Sequence, residues 1–272
     1  TGILLIPYSY KVVDRNKDWF SQLSLYEADM DYLENSVKAH DLMGTTLMRK
    51  IEIELSKQVN VAKFIMPDIQ RAIGHFNRAT EIYPGHASSW KNLGMIYNHP
   101  RIGEHLVAKG DTAQFLHFKR SAIKSFKRSL ELEPGNGKAL FNLGFTYENV
   151  GVMDSAVYFY RECINSNPQI INPRSSLANL MFMQGRMDEA LELNKQIMYI
   201  DPKEALPYVN FGNYYMLMGD TTSAITNFEE AALRNARPEV FAFLSQYYRE
   251  KGNSMKAREY SDRYNMAIQQ LQ

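Results

Sequence analysis

A short phrase of the sequence returns along most of the chain. It reads Leu93-Gly94-x-x-Tyr97, Leu143-Gly144-x-x-Tyr147, Leu177-Ala178-x-x-Met181, Phe211-Gly212-x-x-Tyr215 and Leu244-Ser245-x-x-Tyr248. An alanine follows each time (Ala122, Ala156, Ala190, Ala224, Ala257), and often a proline (Pro134, Pro168, Pro202). An earlier, stretched copy runs Met43-Gly44-x-x-Leu47, Ala72, Phe76, Pro84. Apart from inserted residues the interval is about 34, and a unit of that size cannot bury its own apolar face. Copies must therefore stack, so the chain grows by addition rather than around one central core.

Each copy encodes two antiparallel helices. In the third, Leu140, Leu143, Gly144 and Tyr147 recur at helical spacing and form one apolar stripe. Ala156, Val157, Tyr160, Cys163 and Ile164 form a second stripe. Small residues at Gly144 and Ala156 let the two backbones approach closely. Gly151, Gly185, Gly219 and Gly252 fall where the first helix of a pair must end, as a left-handed cap requires. Pro168 and Pro202 end the second helix, because proline lacks an N–H and clashes with the preceding turn. Trp90 is expected in the core.

Trp90, Leu93, Gly94, Tyr97, Ala122, Phe126 and Pro134 together resemble the tetratricopeptide repeat. The resemblance implies an all-α, right-handed superhelical solenoid of six helix pairs. The expected repeats are 37–86, 87–136, 137–170, 171–204, 205–237 and 238–271, forming an array over 35–272. Residues 1–34 are expected to be a lead-in, in which Trp19, Leu23, Leu25 and Tyr26 belong to a helix capping the first repeat.

The lead-in carries Arg15-Asn16-x-x-Trp19, Leu25-Tyr26-x-x-Asp29 and Asn35-Ser36-x-Lys38-Ala39-His40. This resembles the junction in transmembrane-and-tetratricopeptide-repeat proteins of the O-mannosyltransferase-like superfamily and their bacterial relatives. The chain begins at Thr1 without a methionine, and the resemblance implies that a membrane-embedded part precedes it. The repeats would then be tethered on the non-cytoplasmic side, periplasmic in a bacterium. A cytoplasmic location is the alternative, and association of copies into a homo-oligomer stays open.

Composition excludes several function classes. A net charge of +1 argues against nucleic acid as a partner. The densest basic run, Lys119, Arg120, Lys124, Lys127 and Arg128, is read as a solvated outer face. Acidic pairs such as Glu229-Glu230 are read the same way. Cys163 is the only cysteine, and His99 and His105 around Glu104 lack a metal-binding spacing, so no metal or cofactor is expected. No catalytic or phosphate-binding motif occurs, so the chain as given is read as non-enzymatic.

The expected functional surface is the concave face, lined by the first helix of each pair. Its candidate residues are Lys91, Asn92, Phe141, Asn142, Phe145, Ser176, Asn179, Phe182, Val209, Asn210, Asn213 and Met216. Side-chain amides both donate and accept, so a row of them can hold an extended peptide backbone whatever its side chains. The row resembles the asparagine ladder in the repeat arm of the O-linked N-acetylglucosamine transferase. A carboxylate clamp of the chaperone-cofactor type fits poorly, since Met95 replaces an asparagine and Asn172 and Ser176 replace two cations. The leading expectation is a protein-interaction module binding an extended polypeptide, as the soluble tail of a membrane glycosyltransferase-like protein. The alternatives are the substrate-recognition arm of a glycosyltransferase and a structural or oligomer-forming scaffold.

The first two copies are long. Leu47 to Ala72 and Tyr97 to Ala122 each count 25 residues where the other copies count nine. Equal extensions in neighbouring repeats are expected to project side by side, the first as a prolonged helix.

Overall fold

A computed structural model of the chain describes residues 21–56, 65–234 and 236–271. Among these every regular element is a helix. Two compact units result, one ending at Ser166 and the other beginning at Asn167.

The first unit contains α1 (Gln22–Asp29), α2 (Val37–Ser56), α3 (Met66–Ile82), α4 (Ala87–Tyr97), α5 (Pro100–Ala108), α6 (Thr112–Leu132), α7 (Gly137–Asn149) and α8 (Met153–Ser166). Helices α2 and α3, α4 and α6, and α7 and α8 pack as pairs. The second unit pairs α9 (Asn172–Met183) with α10 (Met187–Ile200), α11 (Leu206–Leu217) with α12 (Thr221–Leu233), and α13 (Pro238–Glu250) with α14 (Ser254–Leu271).

The turn inside a pair is set locally. Gly151, Gly185, Gly219 and Gly252 all have φ between 74° and 80°, where a Cβ would clash. Beyond each, an N–H reaches back five residues, as from Val152 to the Tyr147 carbonyl at 2.9 Å and from Asp220 to the Tyr215 carbonyl at 2.9 Å. These bonds occupy carbonyls that the helix end would otherwise leave without partners. Gly110 ends α5 in the same way.

The centre of most pairs is an aromatic ring laid on a glycine. A Cβ on Gly44, Gly94 or Gly212 would lie 2.6 Å from the ring of Phe76, Phe126 or Phe228, respectively. On Gly144 it would lie 2.8 Å from the Tyr160 ring. Phe76, Phe126 and Tyr160 have no exposed surface. Trp90, expected in the core, sits half-buried at its margin with its indole N–H donating to the Pro84 carbonyl at 2.9 Å. The ring-on-glycine contact takes the central place instead.

The two extensions meet. Helix α2 runs on to Ser56, placing Ile51 and Leu55 in one buried cluster with Ile102 and Leu106 of α5. His99 Nε2 and Glu52 Oε1 join the extensions at 2.9 Å. The stretch 57–64, including Val59 and Val61, lies outside the described residues. Helix α5 also corrects the reading of the basic run. It helps to bury Lys119, whose ammonium donates to Asn98 Oδ1 at 2.7 Å, lies 5.3 Å from the Phe115 ring centre and has its pKa pulled down to about 8 by burial. Arg120, Lys124 and Lys127 remain exposed. Glu229 likewise is not simply solvated. It accepts from Tyr248, Lys256 and Tyr260, linking α12 to α13 and α14.

Helix α1 covers the first pair through Leu23 and Tyr26, joined by Met30 just past its end, while Trp19 lies outside the described residues. Arg71 pairs with Glu27, and Arg78 donates to Asn35 Oδ1 at 2.9 Å. Buried His40 meets the Glu34 carbonyl at 3.0 Å through Nε2 and His75 Nδ1 at 3.0 Å through Nδ1. Only one proton fits between the two facing nitrogens.

Two predictions follow from this packing. Helix propensity alone gives Gly74→Ala and Gly94→Ala the same stabilising sign, about 0.5–1 kcal/mol. Nothing lies within 4 Å of a Cβ at Gly74, so that variant should gain stability. Gly94→Ala must displace Phe126, and overpacking of about 1–3 kcal/mol outweighs the propensity gain. Urea unfolding of the two variants should give midpoints on opposite sides of the parent's.

The second concerns acid. Burial, then the neighbouring His40 and Arg71, lower the His75 pKa to about 4 against Glu27, which raises it. The unfolded chain therefore binds the extra proton first as pH falls from about 6.5 to 4, and stability is lost across that window. Because the ring is half-buried and partly screened, the loss should be about 1–2 kcal/mol. Stability curves of the parent and His75→Gln should converge across that window, since the variant lacks this loss.

Candidate functional site

In the first unit the candidate amides are already engaged. Asn92 Nδ2 donates to Asp41 Oδ1 at 3.3 Å, and the same carboxylate oxygen accepts from Ser89 at 2.8 Å. Asn142 Nδ2 turns back to the Lys138 carbonyl at 2.8 Å. Because a carboxylate and a carbonyl can only accept, these bonds fix which end of each amide is which. Phe141 lies against the Tyr160 ring, with centroids 5.8 Å apart. Lys91 and Phe145 are half-buried on α4 and α7.

In the second unit the structure gathers Asn179 and Phe182 of α9 with Asn210 and Asn213 of α11 around one cavity of about 200 Å³. Its remaining walls are Ala178 of α9 and Met187, Ala190, Leu191 and Asn194 of α10. Ser176, Val209 and Met216 are not among the lining residues. None of the side chains around the cavity is titratable.

The amides here divide by role. Asn194 is buried, donates to the Ala190 carbonyl at 2.7 Å, and accepts from Asn210 Nδ2 at 2.8 Å. Asn210 thus has one of its two amide N–H groups committed and its Oδ1 as an acceptor for another group. Asn179 and Asn213 are exposed and form no hydrogen bond among the described residues, so both ends of each amide are available. In the sequence the four asparagines Asn142, Asn179, Asn210 and Asn213 look alike, and the structure separates them.

Asn194 and the α10 wall lie on a second helix, outside the face expected from the first helix of each pair. The signal was present. At the place where four other copies put Phe76, Phe126, Tyr160 and Phe228, the fourth copy has Asn194 and the sixth Ser261.

The sequence profile of the tetratricopeptide repeat matches residues 137–170 and 206–237. Protein O-mannosyl-transferase TMTC1 of Homo sapiens is 30% identical over 98 residues, which is 35% of this chain and 9% of that protein. Protein O-mannosyl-transferase TMTC3 of Homo sapiens is 20% identical over 263 residues, covering 94% of this chain and 26% of its own length. The chain thus spans between about a tenth and a quarter of these relatives. Among solved structures, YrrB, described as a tetratricopeptide-repeat protein with an unusual peptide-binding site, aligns with TM-score 0.54 and 16% identity over 77% of this chain and 91% of its own. MamA aligns with TM-score 0.52 and 19% identity over 64% and 92%. At these identities the two structures speak for the fold alone. Among the described residues no helix is long and apolar enough to cross a membrane.

The different roles of the amides predict different costs. Asn210→Ala leaves the buried Asn194 oxygen without its donor and should destabilise by about 1–2 kcal/mol. Asn213→Ala breaks no internal bond and should stay within about 0.5 kcal/mol of the parent. Denaturant unfolding of the two variants checks the assignment. The repeating helix pairs, their glycine caps and the profile match agree: the chain carries tetratricopeptide repeats.

Proposed function

We propose that the chain is a polypeptide-binding module that holds an extended segment of a partner against the amide-bearing faces of α9 and α11. The observation carrying this reading is the pairing of Asn179 and Asn213, exposed and uncommitted, beside an uncharged cavity. A peptide backbone offers an N–H and a carbonyl at each residue, and a free amide can meet both. Lys91, Asn92, Phe141, Asn142 and Phe145 supply a corresponding face in the first unit, where each amide already spends one N–H on an internal bond. Recurrence of the repeat fold in a protein described as having a peptide-binding site supports the reading.

Similarity to the O-mannosyl-transferases TMTC1 and TMTC3 supports placing the module in a membrane-tethered, glycosyltransferase-like protein, on the non-cytoplasmic side. In that setting the repeats would recognise a polypeptide for a catalytic part elsewhere, contributing no catalytic residue themselves.

The test is Asn179→Ala/Asn213→Ala. Each amide hydrogen bond contributes about 0.5–1.5 kcal/mol, so capture of array-bound peptides should weaken about tenfold. The melting temperature should not move. Undiminished capture would remove the binding site from this face.

A further inference from the structure

The cavity lined by α9, α10 and α11 lies where a ring is missing. Four repeats fill the space between their helices with an aromatic side chain on a glycine: Phe76 on Gly44, Phe126 on Gly94, Tyr160 on Gly144 and Phe228 on Gly212. The α9–α10 repeat has Ala178 at the glycine position and Asn194 at the aromatic one. Both residues line the cavity. Asn194 does not take the ring's place. Its amide is drawn to the Ala190 carbonyl and to Asn210, which satisfies its polar ends and leaves the space beside Ala178 open.

The remaining walls are those a ring would touch. Met187, Ala190, Leu191 and Phe182 are apolar, and a thioether beside an aromatic edge is a favourable contact. No charge lines the space, so a charged occupant would lose its hydration without gaining a partner. Asn179 and Asn213, at the same cavity, are placed to hold the main chain on either side of an inserted residue.

We propose that this cavity receives an aromatic side chain of the bound polypeptide, a phenylalanine or tyrosine. The partner thereby supplies the ring that the fourth repeat lacks. The inference rests on the polypeptide-binding reading above and adds its sequence preference: one aromatic anchor within a neutral, extended segment.

The experiment uses the full chain and synthetic peptides of Gly, Ser and Ala whose single central residue is Phe, Tyr, Leu, Ala, Asp or Lys. The parent should bind the Phe and Tyr peptides at least about 30-fold more tightly than the Ala peptide, as for a buried aromatic anchor. Asp and Lys peptides should bind no better than Ala. Ala178→Gly/Asn194→Phe rebuilds the packing of the other repeats and refills the cavity from within. This variant should melt no lower than the parent and lose the preference for Phe. Leu191→Glu, at the half-buried rim, is a second variant that should lose it by placing a carboxylate beside the ring. Equal binding of the Phe and Ala peptides by the parent, or an unchanged Phe preference in folded forms of both variants, overturns the proposal. If Asn179→Ala/Asn213→Ala still reduces capture from a broad peptide array in that case, the polypeptide-binding reading survives without the aromatic anchor. If it does not, both fall together.

Discussion

The contact on which the architecture depends is an aromatic ring pressed against a helix backbone that has no side chain. Glycine in the middle of a helix costs about 1 kcal/mol relative to alanine, so its presence needs a return elsewhere. Here the return is full burial of a large ring, as with Phe126 on Gly94 and Tyr160 on Gly144. The same contact fixes the spacing within a pair. Within each unit the outer sides of the helices then find cover on the neighbouring pair, and α1 adds cover to the first described pair.

Much of this was legible because it is periodic. Leu143, Gly144 and Tyr147, with Ala156 and Tyr160, state one pair of helices, and their recurrence states an array. Glycine caps were legible for a different reason: a backbone at φ near +75° admits few residues other than glycine. What the periodicity hid lies in departures from it. Lys119 reads as one member of a basic run, and only the presence of α5 in three dimensions buries it. Glu229 reads as half of an exposed acidic pair, yet three partners from the next repeat converge on it. Asn142 and Asn210 sit at equivalent positions, but a local carbonyl claims one amide and Asn194 the other. No single-residue pattern carries that information, because the competing acceptors lie on the helix itself or on its partner.

The proposed binding face differs from an enzyme cleft in its chemistry. The cavity wall contains no ionisable group, so its own chemistry is indifferent to pH. The titratable contacts are elsewhere, in the His40–His75 pair beneath α1 and in the cluster around Glu229. The chain thus keeps these titratable contacts apart from the proposed binding face. Similarity to TMTC1 and TMTC3 concerns only a fraction of those proteins.

The glycine turns also bear on how the chain reaches this structure. Each of them closes a helical pair using bonds that span five residues, such as Asn253 to the Tyr248 carbonyl. The main packing contacts then join helices adjacent in sequence, apart from α4 and α6, which α5 separates. Loop closure is therefore cheap at every step, and low contact order favours fast folding. Within each unit, a ribosome delivering the chain would release one closable pair after another, each later one finding its neighbour already in place.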